Sequence, residues 1–150
     1  MSPAKFVAVI LLTICATANG EWKFVVENES KDLRYFLDTS RIDYDDSKIW
    51  IWFLMDYTRP QKIDAGTYYS MESLEAISCV NRESSFYDYI YYAEPGGRGK
   101  VIESDSFGGA GPVIALPDSI AETLVITACE VFVKTYKPKS IRLTGTLSKQ

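Results

Sequence analysis

The chain has 150 residues, 47% of them apolar and 24% charged, with 16 Lys and Arg against 20 Asp and Glu, a formal net charge of -4 and no histidine. This length and apolar content allow one domain with a real core and exclude a disordered chain, and the acidic balance offers no basic footprint for nucleic acid. Without imidazole, serine–histidine and cysteine–histidine nucleophile systems, two-histidine zinc sites and a histidine pH switch are all excluded.

Lys5 is the only charge in the first 20 residues, and the mainly apolar run from Phe6 to Ala16 ends in Ala16-Thr17-Ala18-Asn19-Gly20. A charged start, a short apolar stretch and a small-residue end are the shape of a secretory signal. We therefore expect residues 1–20 to be a signal peptide cleaved after Ala18 or Gly20, leaving one domain over 21–150. The run is too short for a transmembrane helix, which needs about 20 apolar residues. Cys15 raises lipidation, but Ile14 stands before it where the lipoprotein peptidase takes Gly, Ala or Ser, which argues against a lipid anchor. Cleavage leaves two cysteines, Cys79 and Cys129. In an oxidising compartment these suggest one disulfide rather than two free buried thiols, worth about 4 kcal/mol through loop closure.

The mature chain opens with Trp22, Phe24 and Val26 alternating with Lys23, Val25 and Glu27, a half-buried strand. Residues 28–32 turn the chain into a short strand, Leu33 to Asp38. Lys48 to Tyr57 is apolar on both parities, so it is expected at the centre of a sheet with both faces covered, ending at Arg59-Pro60. Thr67 to Val80 and Phe86 to Ala93 read as further strands, and the Gly96-Gly97-Arg98-Gly99 turn lets Val101 to Glu103 return as a hairpin partner. Gly108 to Pro112 is a loop. A helix follows, with Ser119 as N-cap and Glu122 as the third helical residue of a capping box. Its stripe of Ala121, Leu124, Val125, Ala128, Cys129, Phe132 and Tyr136 faces the sheet, and Pro138 closes it. Strands followed by one helix make an α+β fold, a single antiparallel sheet of about six strands with a C-terminal helix packed on it.

Few residues point to chemistry. Six of the ten tyrosines lie between Tyr68 and Tyr92; cross-strand packing accounts for them, and so does a binding face. Gly96 to Lys100 lacks Walker spacing and an ensuing helix, which leaves Arg98 and Lys100 as contacts for an acidic partner. Asp43, Asp45 and Asp46 lack the spacing, glycine and distal glutamate of an EF-hand. Glycosidases need only carboxylates, but nothing positions a pair. No enzyme, cofactor or metal is expected.

Several segments together resemble the surface-adhesin E-like family of exported and outer-membrane bacterial proteins. They are Trp22, Tyr35-Phe36-Leu37-Asp38-Thr39-Ser40-Arg41-Ile42, Trp50 with Leu54-Met55-Asp56-Tyr57, Ser78-Cys79 with Arg82, Tyr91-Tyr92 to Gly99, and Leu116-Pro117-Asp118-Ser119 followed by Cys129. The resemblance spans about Trp22 to Tyr136. It implies a single antiparallel sheet, a C-terminal helix and a Cys79–Cys129 disulfide. It also implies a non-enzymatic binding module for host matrix or plasma proteins, such as vitronectin, laminin or plasminogen, periplasmic or secreted with an outer-membrane association open to it. The candidate contacts are Arg82, Tyr87, Tyr89, Tyr91, Tyr92, Arg98 and Lys100. The alternative is a structural envelope domain that self-associates, as a homodimer, through its sheet face.

Overall fold

The computed structural model describes residues 20–136. The expected signal segment up to Asn19, Cys15 within it, and Pro138 lie outside the described residues. Six strands follow in chain order, β1 (Trp22–Glu27), β2 (Leu33–Asp45), β3 (Lys48–Ile63), β4 (Gly66–Ser78), β5 (Glu83–Glu94) and β6 (Arg98–Ser106), then the two-residue β7 (Val113–Ile114) and the helix α1 (Ile120–Thr135). The six strands form an antiparallel meander in sequence order, and β7 adds to the free start of β5. This is the expected α+β architecture. Among the described residues no helix is long and apolar enough to cross a membrane.

Local chemistry sets the turns. Asp46 and Ser47 both have positive φ between β2 and β3, the backbone that a two-residue hairpin needs to match the twist of its strands. Asn28 accepts from the backbone N–H groups of Asp32 and Leu33 and fixes the β1–β2 turn. The helix begins as read: Ser119 Oγ accepts from Glu122 N at 3.1 Å, and Glu122 and Lys134 suit the two ends of its dipole. The Glu122 carboxylate departs from the capping box, accepting from Asp118 N at 2.9 Å and pairing with Arg82.

Alternation along β3 puts Ile49, Ile51 and Phe53 on one face and Trp50, Trp52 and Leu54 on the other. The first set forms the core with Leu37, Ile77, Ala115 and the helix residues Val125, Ala128 and Val131. Cys79 and Cys129 form a disulfide with Cα atoms 5.9 Å apart, stapling the end of β4 to the helix.

Three expectations need correction. Strand β2 runs on to Asp45, with a register break between Leu37 and Ile42. Strand β3 passes Pro60 and reaches Ile63 after another break between Asp56 and Gln61, an irregularity that spares a proline from donating to the ladder. The expected double coverage of β3 is not met by two elements. The helix covers one face, while on the other only the β5–β6 turn reaches over Leu54 and Glu72, where Gly97 comes close to both side chains. In β1 it is accordingly Val25 that joins the core, while Phe24 is 51% exposed.

Candidate functional site: the uncovered face of the sheet

The face away from the helix is aromatic and is crossed by an ion-pair network centred on Arg41. The break in β2 lets Arg41 turn across the sheet, and its guanidinium lies 5.3 Å from the ring of Trp22 and 5.1 Å from that of Trp52, a two-sided cation–π contact. Its Nε donates to Asp38 and its other arm reaches Glu72 at 3.2 Å. Asp38 is fully buried and also accepts from Glu21 N, Ser40 N, Ser40 Oγ and Arg41 N at 2.6–3.2 Å. Burial alone would raise the Asp38 carboxyl; the hydrogen bonds from Ser40 and Arg41 outweigh it and hold the group below its ordinary range. Glu72 goes the other way, raised by burial in spite of Arg41 and the Tyr92 hydroxyl.

The β5–β6 turn folds onto the same face. Gly96 N donates to Asp56 Oδ1 at 2.9 Å and Gly97 N to Ser70 Oγ at 3.0 Å. A β-carbon on Gly97, whose φ is +66°, would stand 2.7 Å from Glu72 Oε1, so the turn needs glycine there. Asp56 also takes the Arg34 guanidinium at 2.6 Å. The result is a groove of about 510 Å³ between Trp22, Trp52, Tyr92 and Arg98, next to a second of about 620 Å³ running along Asp43, Asp45, Trp50 and Leu74.

The candidate contact residues distribute over both faces. Tyr87 lies against Trp50 with ring centroids 4.5 Å apart, Tyr92 bonds to Glu72, and Arg98 lines the groove; these three share the uncovered face. Lys100 is exposed two residues beyond Arg98. Tyr89 and Tyr91 point to the helix side, where Tyr91 packs on Tyr68 at 4.3 Å and Tyr89 donates to Glu103 at 2.5 Å. Arg82 sits apart, at the β4–β5 turn, paired with Glu122 at 2.9 Å. Asp43 and Asp45 accept from the backbone of the residues that follow them, and among the described residues no group of three or more carboxylates or cysteines is placed to hold a metal.

Sequence reasoning did not single out Arg41, Asp38 or Glu72 as a unit. Asp38 and Arg41 were visible only inside the segment that carries the family resemblance. The resemblance is now decided by comparison, since the family described as surface-adhesin protein E matches residues 22–130. The chain belongs to the surface-adhesin protein E family. Three solved structures share the family's fold. Crystal form II of Haemophilus influenzae protein E is 12% identical with a TM-score of 0.55, covering 76% of this chain and 90% of that one. Another Haemophilus influenzae protein E structure gives 12% and 0.53 over 76% and 89%. Protein E from non-typeable Haemophilus influenzae gives 12% and 0.53 over 74% and 78%. At this identity the likeness is one of fold. No curated protein sequence matches the chain.

Proposed function

We propose that this surface-adhesin E domain is a non-enzymatic, exported bacterial binding module that docks a protein partner on the uncovered face of its sheet. The observation that carries the reading is the set of half-buried Trp22, Trp50, Trp52, Tyr87 and Tyr92 on one face with no helix over it. Rigid aromatic surface of this kind supplies most of the energy in protein interfaces. The face has electrical direction as well, with Asp43 and Asp45 beside Trp50 at one end and Arg98 and Lys100 at the hairpin end. The Asp38 carboxylate on this face is taken up by Arg41 and by backbone and hydroxyl donors, which suits a rigid recognition surface. Membership of an adhesin family favours a matrix or plasma protein as the partner.

The test is binding of the purified protein to immobilised vitronectin, laminin and plasminogen. Trp50→Ala is expected to weaken binding to the recognised partner by about tenfold or more, the size of an aromatic hot spot, and charge reversal of Arg98 and Lys100 to weaken it where that partner is acidic. Unchanged binding by both variants, with unchanged melting, moves the interface off this face. A wild-type protein that binds none of the three defeats the matrix and plasma reading. Self-association remains a second reading because Phe24 is exposed on the edge strand β1; a monomer in sedimentation at micromolar concentration removes it.

A further inference from the structure

On the opposite side of the sheet, a cleft of about 240 Å³ lies between the first turns of α1 and strands β4 and β5. Ile77, Ala115 and Val125 are its buried floor, and Phe86 and Leu124 are among its walls. Its rim is apolar and open: Val113 is 66% exposed, and Phe107, itself exposed, lies 5.8 Å from Phe86 ring to ring. Of the side chains that line it, one is ionisable, Glu75.

Glu75 is out of place by the logic of the fold. Its cross-strand neighbours are Ile51 and Phe86, on the face that elsewhere supplies the core. An acid there costs stability unless it has a partner. Ser84 Oγ and Ser73 Oγ donate to its two oxygens, the second at 3.1 Å, yet among the described residues it forms no ion pair. The two serines orient the carboxylate and leave each oxygen a lone pair to spare.

We propose that this cleft binds a small amphiphilic amine, an apolar body of about eight carbons whose primary ammonium head pairs with Glu75. Size supports the class, since an apolar cavity of about 150 Å³ accepts a benzene ring. Charge supports the head group. Burial raises the Glu75 carboxyl above its ordinary value, and an ammonium supplies the counter-charge the fold omits, through a charge-assisted hydrogen bond. The exposed apolar rim supports the body of the ligand, which slides past it to the floor. The site uses the helix side of the sheet and is separate from the adhesion reading.

The experiment titrates n-octylamine, n-octanol and n-octanoate into the methyl-labelled protein at neutral pH and follows carbon–proton correlation spectra. Octylamine is expected to shift the methyls of Ile77, Ala115, Leu124 and Val125 in a saturable way, at least tenfold tighter than octanol, with octanoate the weakest. Glu75→Gln should erase the advantage of the amine while leaving the alcohol unchanged. Ala121→Phe, a change at an exposed lining position that fills the cleft, should abolish all three. Shifts centred outside the cleft, equal binding of the three head groups, or an amine advantage that survives Glu75→Gln would each overturn the proposal.

Discussion

Arg41 shows how one side chain can organise a face. Its charge is shared between two carboxylates of opposite behaviour, Asp38 held low and Glu72 held high. The depressed Asp38 contributes stability that is fully present above its unfolded value, about 4, and lost as pH falls through the lower folded value. The raised Glu72 contributes in the reverse sense: its ionisation costs stability, and protonating it as pH falls relieves that cost. Asp38→Asn should therefore destabilise the protein by about 3 kcal/mol, as expected when one partner of a buried, multiply hydrogen-bonded pair is removed. Glu72→Gln should cost far less. Urea unfolding at pH 7 and pH 4 separates the two, since the penalty for Asp38→Asn persists at both, while that for Glu72→Gln is smaller at pH 7, where the ionised glutamate costs stability, and larger at pH 4. Little of this was readable from the residues. A register break inserts Thr39 to Arg41 between two regular stretches of β2, and side-chain parity does not carry across such a break, so a short strand expected to end at Asp38 gave no sign of a buried aspartate and a cross-sheet arginine.

The elements divide by how locally their signals are written. The helix was legible because its N-cap, period and charge order are all contained in 18 residues, and its core contacts follow the expected stripe except that Val131 joins it while Ala121 is exposed and Tyr136 lies outside the core. Strands β4 and β5 were legible in kind and place, and the Gly-rich turn at 96–99 marked the start of β6, which runs over Arg98 to Ser106 and not over Val101 to Glu103 alone. Strand β2 came out short, and β3 was stopped early, because polar residues and proline are read as breaks where the ladder in fact absorbs a bulge. The candidate contacts suffered from the same geometry. A break between Leu74 and Glu75 opposite Tyr87 sends Tyr87 to one face and Tyr89 to the other, so even spacing did not mean a shared face. The staple between β4 and α1 is testable at this scale. Replacing Cys79 and Cys129 together with serine should lower stability by about 4 kcal/mol through loop closure over a separation of 50 residues, seen as a lower chemical denaturation midpoint, with the helical ellipticity at low denaturant retained.

Across the whole molecule the sheet has three environments: a helix-covered core, a tyrosine cluster one row further along the same side, and the open aromatic face. In the cluster, Tyr57 lies 5.7 Å from Tyr68, which lies 4.3 Å from Tyr91. Burial first, then the neighbouring phenols, raises Tyr57 well above its ordinary value; the hydrogen bond to Glu103, then burial, pushes Tyr89 up to about 12. A raised tyrosine favours the folded state while protonated, so its contribution is complete below about pH 10, the unfolded value, and disappears as pH climbs through the folded one. Tyrosinate absorbance should show phenols that stay largely protonated above pH 10 in the folded protein and ionise near pH 10 in denaturant, and Tyr89→Phe should remove one of them and flatten the loss of stability between about pH 10 and 12.

The strictly sequential strand order has a consequence for the chain as it is made. Each strand from β2 to β6 pairs with the one just before it, so the six-stranded meander can grow hairpin by hairpin from its first residues. The disulfide obeys a different clock, for the thiol at the end of β4 has no proper mate until the last helix arrives. A chain that stops short of Cys129 carries both a bare apolar sheet face and a lone thiol, two handles by which an oxidising compartment can tell an unfinished copy from a finished one.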